Sequence, residues 1–312
     1  MAALKMRSFQ VTVDGKAYPV RVEQRVFEPP SSPRIVVVVY QPNALASEMV
    51  RVFLGSIRRF TPEPHELWIV DNHSPKDHSR WLLDQPGINV ILNDAEPLPP
   101  GGHAVRTRRL FPFRFVPSQV QSASYANGLG LELATQIIHP ETQILCTFHS
   151  DVLVCKKGWL TFLRSKLNDR VRGASTFHDL KWSQAMHVAG LLFDFTLFRS
   201  MKMTFLPSLA DHYDVGDLIT KRLKEAGYGI YVCRNTLNHP ETAQWVASNH
   251  PFYGLTCPRS FDEEQDVIYL HMGRGTTKLL GLYRRTGRIY PEEWIRFAQE
   301  ELLREESQVP CP

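Results

Sequence analysis

Two segments of this chain place acidic residues where ordinary folding does not need them. The stretch QILCTFHSDVLV, residues 143–154, reads as a buried strand that His149, Ser150 and Asp151 interrupt. An ionised aspartate in an apolar run is costly unless something pairs with it. The segment HYDVGDLITKR carries Asp214 and Asp217, three residues apart. Asp217 falls where a helix begins, so it can serve as the N-cap, and the helix dipole would keep it ionised. Asp214 lies in the loop before it. Carboxylates so placed can bind a hard divalent cation or take a proton from a reacting hydroxyl. Each also has a plainer use: Asp151 can cap the following turn, and Asp217 can be a helix cap and nothing more. A third segment, YLHMGRGT, sets His271 beside glycines and Arg274, a composition that suits a phosphate-binding turn.

The elements that must hold these residues can be read from periodicity. RIVVVVY is a continuous β-branched run of the kind buried on both faces of a parallel sheet. A helical stretch follows, with Leu45, Met49, Val52, Phe53 and Ile57 on one face. ELWIVDN is a second strand, SRWLLDQ a short helix and INVILN a third strand. This alternation predicts a doubly wound α/β unit. A helix over ASYANGLGLELATQII leads into the interrupted strand. Beyond it lie the helix GWLTFLRSKL, strands over AMHVAGLLFDFTLFRSM, and the helix-to-strand segment DLITKRLKEAGYGIYV, whose Gly227 suits the position after a helix end. DVIYLHMG is a further strand, and PEEWIRFAQEELLREE an amphipathic helix opened by Pro291. Residues 8–27 alternate around Asp14-Gly15, which predicts a hairpin. The expected organisation is a hairpin extension and linker at 1–30, a main domain at 31–255, and a strand and helix at 256–312 packed on it. Residues 94–119, rich in proline and arginine, form an insertion without period.

The bulk numbers fit a folded protein: 312 residues, 43% apolar and 22% charged. The net charge of +4 suits an anionic ligand but is too small to imply nucleic acid by itself. No apolar run reaches the ~18 residues of a membrane span, and MAALKMRSFQ lacks the apolar core of a signal peptide. Cysteines 146, 155, 233, 257 and 311 show no CxxC spacing. Reduced thiols in a cytoplasmic protein are the expectation.

In a doubly wound sheet, ligands bind beyond the carboxyl ends of the strands. Those ends carry Tyr40, Gln41 and Asn43, then Asp71, Asn72 and Ser74, then His149, Ser150 and Asp151. In that order, VVVVYQPN, LWIVDNHSP, SASYANGLG, ILCTFHSDVLV and DHYDVGDLITKRLKEAGYGIYVCRNTLNH resemble glycosyltransferase family 2 over roughly residues 34–240. The resemblance implies the type A glycosyltransferase fold, an α/β architecture with a mostly parallel central sheet flanked by helices, here with an N-terminal β-hairpin extension. It implies a nucleoside-diphosphate sugar donor and Mn²⁺ or Mg²⁺. In the family an Asp-x-Asp motif ends the strand, and its last aspartate, Asp151 here, holds the metal against the donor diphosphate. His149 replaces the first aspartate, which weakens the ribose contact more than the metal. The resemblance makes His239 the second protein ligand of the metal, with His271 competing for that role. Asp71 falls where the family meets the nucleotide base, with uracil and guanine both open. Asn127 and Gly128 match a donor-pocket Asn-Gly, and Tyr40, Gln41, Asn72, His149 and Ser150 complete the donor side.

An inverting transfer needs a carboxylate base, and Asp214 and Asp217 both qualify, with Asp217 favoured; a retaining outcome is the live variant. Two rival readings are a nucleotidyltransferase, which lacks its usual glycine- and lysine-containing loop in YQPNALAS, and a non-catalytic sugar-nucleotide-binding protein. The expected partners are the donor and a saccharide, lipid-linked or other hydroxyl acceptor, with no nucleic acid. The basic insertion suits a lid closing through Arg106, Arg108 or Arg109, or a peripheral membrane contact of a cytoplasmic protein.

Overall fold

The computed structural model describes residues 6–98, 118–179, 184–283 and 285–304. The insertion's arginines Arg106, Arg108 and Arg109 lie outside the described residues, so the expected lid and membrane contact there do too. In chain order the strands are β1 (Arg7–Val13), β2 (Lys16–Glu23), β3 (Arg34–Val39), β4 (Glu66–Asn72), β5 (Asn89–Asn93), β6 (Ile144–His149), β7 (Val152–Val154), β8 (Val171–Ser175), β9 (His178–Asp179), β10 (Ala185–Met186), β11 (Leu191–Asp194), β12 (Gly229–Val232), β13 (Arg234–Asn235), β14 (Arg259–Phe261) and β15 (Val267–His271). The helices are α1 (Ala44–Phe60), α2 (Lys76–Ser79), α3 (Ser118–Ile137), α4 (Trp159–Ser165), α5 (Phe195–Ser200), α6 (Asp217–Glu225), α7 (Gly275–Leu279) and α8 (Pro291–Phe297). None is long and apolar enough to cross a membrane among the described residues. The chain divides into two compact units, Met1–Gln41 with Pro64–His149 and Leu163–Val232, and Pro42–Glu63 with Ser150–Phe162 and Cys233–Pro312.

The first unit is built on a nine-stranded sheet in the order β1-β2-β5-β4-β3-β6-β11-β8-β12. Its central strands β5, β4, β3 and β6 run parallel. The β1–β2 hairpin turns at Asp14-Gly15, as its alternation predicts, and joins the sheet antiparallel to β5. Every residue of β4 is buried, as a strand covered on both faces requires. The amino ends of β3 and β4 are tied by a buried ion pair, Arg34 Nη2 to Glu66 Oε1 at 3.0 Å. Arg34 also donates to the carbonyls of Glu28, Pro29 and Ser32, and Glu66 Oε2 accepts from the Trp68 indole. Helix α3 lies so close to β3 that a Cβ on Gly130 would come within 2.6 Å of Val38 Cγ1. The core runs through Val36, Trp68, Val70, Ile91, Leu129, Leu133, Leu145 and Phe193.

The second unit has its own four-stranded sheet, β13-β14-β15-β7, with α1 and α8 packed on a core of Met49, Val52, Leu153, Phe261, Leu270, Trp294 and Phe297. Asn43 is the N-cap of α1, its Oδ1 accepting from Ala46 N–H at 2.9 Å. This is the plain helix-cap use of a strand-end polar residue.

Two readings of local structure change. SRWLLDQ is a 3₁₀ turn (Arg80–Asp84) after α2. FTLFRS, expected as strand, is helix α5, because Asp194 Oδ1 accepts from Thr196 N–H and Leu197 N–H at 2.9 and 3.1 Å. That cap outweighs the β preference of the two phenylalanines.

Candidate active site

The interruption at His149–Asp151 is where the chain leaves the nine-stranded sheet. Strand β6 ends at His149, Ser150 and Asp151 turn, and β7 enters the four-stranded sheet. Strand β15 pairs antiparallel with β7, so that His271 stands opposite Val152. That register brings His271 Nε2 to 3.4 Å from Asp151 Oδ1, with both side chains nearly buried. The other carboxylate oxygen, Oδ2, accepts from Gly275 N–H at 2.9 Å, and the Asp151 carbonyl accepts from Met272 N–H at 2.9 Å. The first turn of α7 therefore closes over Asp151. It does so tightly enough that a Cβ on Gly275 would lie 2.8 Å from Asp151 Cβ. One turn on, Lys278 is buried and donates to the carbonyls of Met272 and Ile289 at 2.9 and 2.8 Å. Burial pulls its ammonium below the usual lysine range, opposed by the attraction of Asp151.

A carboxylate oxygen and an imidazole nitrogen 3.4 Å apart are close to the spacing of two atoms sharing one ion at ~2.0–2.2 Å. His239 is placed differently. It caps the 3₁₀ turn Pro240–Trp245, and its N–H is bonded to the Asn235 carbonyl. The imidazole seen beside Asp151 is that of His271, because the pairing of β15 with β7 sets it there.

On the first unit, several residues expected on the donor side are hydrogen-bonded to one another or to their neighbours at the carboxyl ends of the parallel strands. Asn93 Nδ2 donates to Asn72 Oδ1 at 2.8 Å, Asn72 Nδ2 donates to the Ala126 carbonyl at 2.7 Å, and Asn127 Nδ2 lies 2.9 Å from His149 Nε2. An amide N–H can only donate, so in this arrangement His149 Nε2 is the acceptor and its proton sits on Nδ1. His187 crosses the His149 ring edge-on at 5.5 Å. Asp71 is 4% exposed. Burial pushes its carboxyl upward, partly offset by hydrogen bonds from Ser74, Ser79 and Gln41. Gln41 in turn donates its N–H to Ser74 Oγ at 2.8 Å and accepts from the Trp81 indole at 3.0 Å. Tyr40 stands 44% exposed at the end of β3. Gly128 uses its missing Cβ against the chain itself: an added Cβ would sit 2.8 Å from the Phe205 carbonyl oxygen.

The acidic pair is organised by the loop before α6. Gly216, at φ +75°, is the N-cap, and Asp217 is the first helical residue. Asp217 is buried, and its Oδ2 accepts from Asp214 N–H at 2.8 Å. Asp214 is exposed, with Oδ1 accepting from Val215 N–H at 2.7 Å. The buried carboxylate shapes the loop, and the exposed one is reachable.

Sequence reasoning passed over Gly275 and Lys278 as partners of Asp151, and also His187 and Asn93. The first two had a signal, the glycines and basic residues of HMGRGTTK. The others had none, since only sheet order brings them near the predicted residues.

The nine-stranded α/β sheet with its central parallel strands and flanking helices is that of the type A glycosyltransferases. Among solved structures, an active-site mutant of LgtC matches with a TM-score of 0.50 at 13% identity, over 85% of this chain and 95% of that one. The galactosyltransferase LgtC in complex with donor and acceptor sugar analogs matches with a TM-score of 0.49 at 13% identity, over the same shares. The apo form of mouse xyloside xylosyltransferase 1 matches with a TM-score of 0.40 at 13% identity, over 64% of this chain and 84% of that one. No protein-family model matches the sequence, and no curated protein does.

Proposed function

We propose that this chain is a metal-dependent glycosyltransferase, of family 2-like character, that moves a sugar from a nucleoside diphosphate to an acceptor hydroxyl. The observation that carries this reading is the Asp151–His271 pair, set by the pairing of β7 with β15 in a chain with the type A glycosyltransferase fold. The pair fits a divalent cation by its donor set: one carboxylate oxygen and one imidazole nitrogen, held in place by Gly275 N–H and the β7–β15 pairing. Carboxylate with imidazole favours Mn²⁺ slightly over Mg²⁺. When bound, such an ion neutralises charge on a departing diphosphate as a Lewis acid. His149, two residues before Asp151 in the sequence, offers a further imidazole whose Nε2 lone pair is engaged by Asn127.

On the donor side, Gln41, Asp71 and Asn72 stand at strand ends where a nucleotide is bound in such sheets. Buried and polar, they are suited to orient a base by hydrogen bonds. For an inverting transfer, Asp214 is the better proton acceptor of the pair. It is exposed, whereas Asp217 is buried and spends an oxygen on the Asp214 backbone. Asp217 then acts by positioning Asp214. Acceptors of saccharide or lipid-linked type both offer the required hydroxyl.

The test is a panel of UDP- and GDP-sugars incubated with the purified chain, with Mn²⁺ or with a chelator. Metal-dependent release of nucleoside diphosphate, increased by sugar acceptors, is expected. Release of pyrophosphate from a nucleoside triphosphate would instead make the chain a nucleotidyltransferase. Metal-dependent binding without turnover would make it a non-catalytic sugar-nucleotide-binding protein.

A further inference from the structure

The end of α7 has a property that a catalytic role does not call for. From Val267 to Pro291 the sequence holds Arg274, Lys278, Arg284, Arg285 and Arg288 and not one Asp or Glu, in a chain whose whole net charge is +4. Within this basic stretch the chain exposes two leucines, Leu280 at 45% and Leu282 at 56%. The backbone there is not loose. α7 ends in a Schellman turn, with Gly281 at φ +67°. Gly281 N–H donates to the Lys278 carbonyl and Leu282 N–H to the Thr277 carbonyl, both at 2.9 Å. Such a turn commonly folds the residue after the glycine back onto the helix as an apolar contact. Here that residue, Leu282, points its side chain into solvent, and so does the last residue before the glycine.

Around the leucines the arrangement is interfacial. Tyr283 is half-buried, with the Arg274 guanidinium 5.0 Å and the Lys278 ammonium 6.0 Å from its ring. Arg285 is exposed and Arg288 partly so. The positive charges of Arg288 and Arg274 both act on the Lys278 ammonium, so the cations are close enough to reinforce one field. Exposed aliphatic side chains, an aromatic beside them and cations without acidic neighbours in sequence are what an anionic bilayer surface rewards. The leucines lose water, and each nearby cation gains from the negative surface potential.

We infer that the turn Leu280–Leu282, flanked by Arg285 and Arg288, is a docking surface for an anionic lipid bilayer. The inference does not depend on the catalytic reading, since it rests on exposure and charge alone. If both hold, the membrane surface lies next to the five-residue helix whose first N–H holds Asp151. A lipid-linked hydroxyl acceptor would then be presented by the same surface.

The test is co-sedimentation of the full chain with vesicles of phosphatidylcholine alone and with about one quarter phosphatidylglycerol, at low and moderate salt. Binding to the anionic vesicles alone is expected, weakened by salt. The double variant Leu280→Ser/Leu282→Ser and the double variant Arg285→Glu/Arg288→Glu should each lower the apparent affinity about tenfold or more. The leucines and Arg285 are exposed and Arg288 partly so, and unchanged melting temperatures will show that the fold is intact. Loss with the arginine variant but not with the leucine variant would overturn the proposal in favour of a surface for soluble polyanions. Equal binding of both variants, or no binding to either vesicle, would also overturn it.

Discussion

Replacing Gly275 by alanine perturbs the proposed metal site without touching a ligand. The added Cβ would lie 2.8 Å from Asp151 Cβ, 2.9 Å from Oδ2 and 3.0 Å from Cγ. Ordinary carbon contacts begin at about 3.5 Å, so the shortfall is several tenths of an ångström. Asp151 has little room to yield. Its Oδ2 is held by Gly275 N–H, its Oδ1 faces His271, and its carbonyl is bonded to Met272 N–H. Overpacking of this kind costs ~1–3 kcal/mol, which lowers the melting temperature by about 2–4 °C per kcal/mol for domains of 150–250 residues. The shift should also carry the carboxylate away from its position opposite His271. Disturbing the support of a ligand typically costs about 10–100-fold in metal affinity. The assay is thermal denaturation together with Mn²⁺ titration by electron paramagnetic resonance. Gly254→Ala is the control, since nothing lies within 4 Å of a Cβ there and the expected change is within ~0.5 kcal/mol. If Gly275→Ala melts and binds Mn²⁺ like the parent, the first turn of α7 does not hold Asp151, and the site as described fails.

Asp151→Asn and His271→Gln should each abolish measurable Mn²⁺ binding, while His239→Gln leaves it unchanged; the same titration decides between the two histidines. Asp214→Asn should reduce turnover by about 10²–10⁴-fold with donor affinity nearly unchanged. Asp217→Asn should lower both turnover and melting temperature, because a buried acceptor of the Asp214 N–H is altered; steady-state kinetics beside melting curves separate the two roles. Glu132, whose Oε1 accepts from Thr204 Oγ1 and Phe205 N–H at 2.6 Å each, is pushed upward by burial. Its folded-state pKa is raised, so between the unfolded carboxylate value of ~4.3 and the folded value the native state binds more protons, and stability falls as pH rises. Denaturant melts across that window should show a smaller decline in Glu132→Gln than in the parent, against a remaining decline of the same sign from Asp71.

Much of the fold was legible because its signals are local. The β-branched run of β3, the apolar run of β4, the Asp14-Gly15 turn and Gly227 after α6 each act through backbone preference or burial period, which neighbours in sequence define. The cost of Asp151 in an apolar run was legible for the same reason. The structure shows what the strand could not: the interruption is a passage from one sheet to another, and the pairing of β15 with β7 chooses His271 as the neighbour of Asp151. The sequence named both His239 and His271 for this role, and register, a long-range property set by which strands exchange hydrogen bonds, is what puts His271 beside Asp151. Asp217 was recognised as a helix-start residue. Its burial, and the exposure of Asp214 that shifts the preference between them, depend on how the loop folds back on α6. The helix at FTLFRS was missed because a single capping aspartate outweighed the β preference around it. By itself, then, the sequence determined the central parallel strands, most helices and the acidic positions that need a partner, because those follow from local chemistry, while the short strands β8, β13 and β14 carried no such local signal. Tertiary structure alone decided which partner each received, because partners are assigned by strand pairing and packing between segments more than a hundred residues apart.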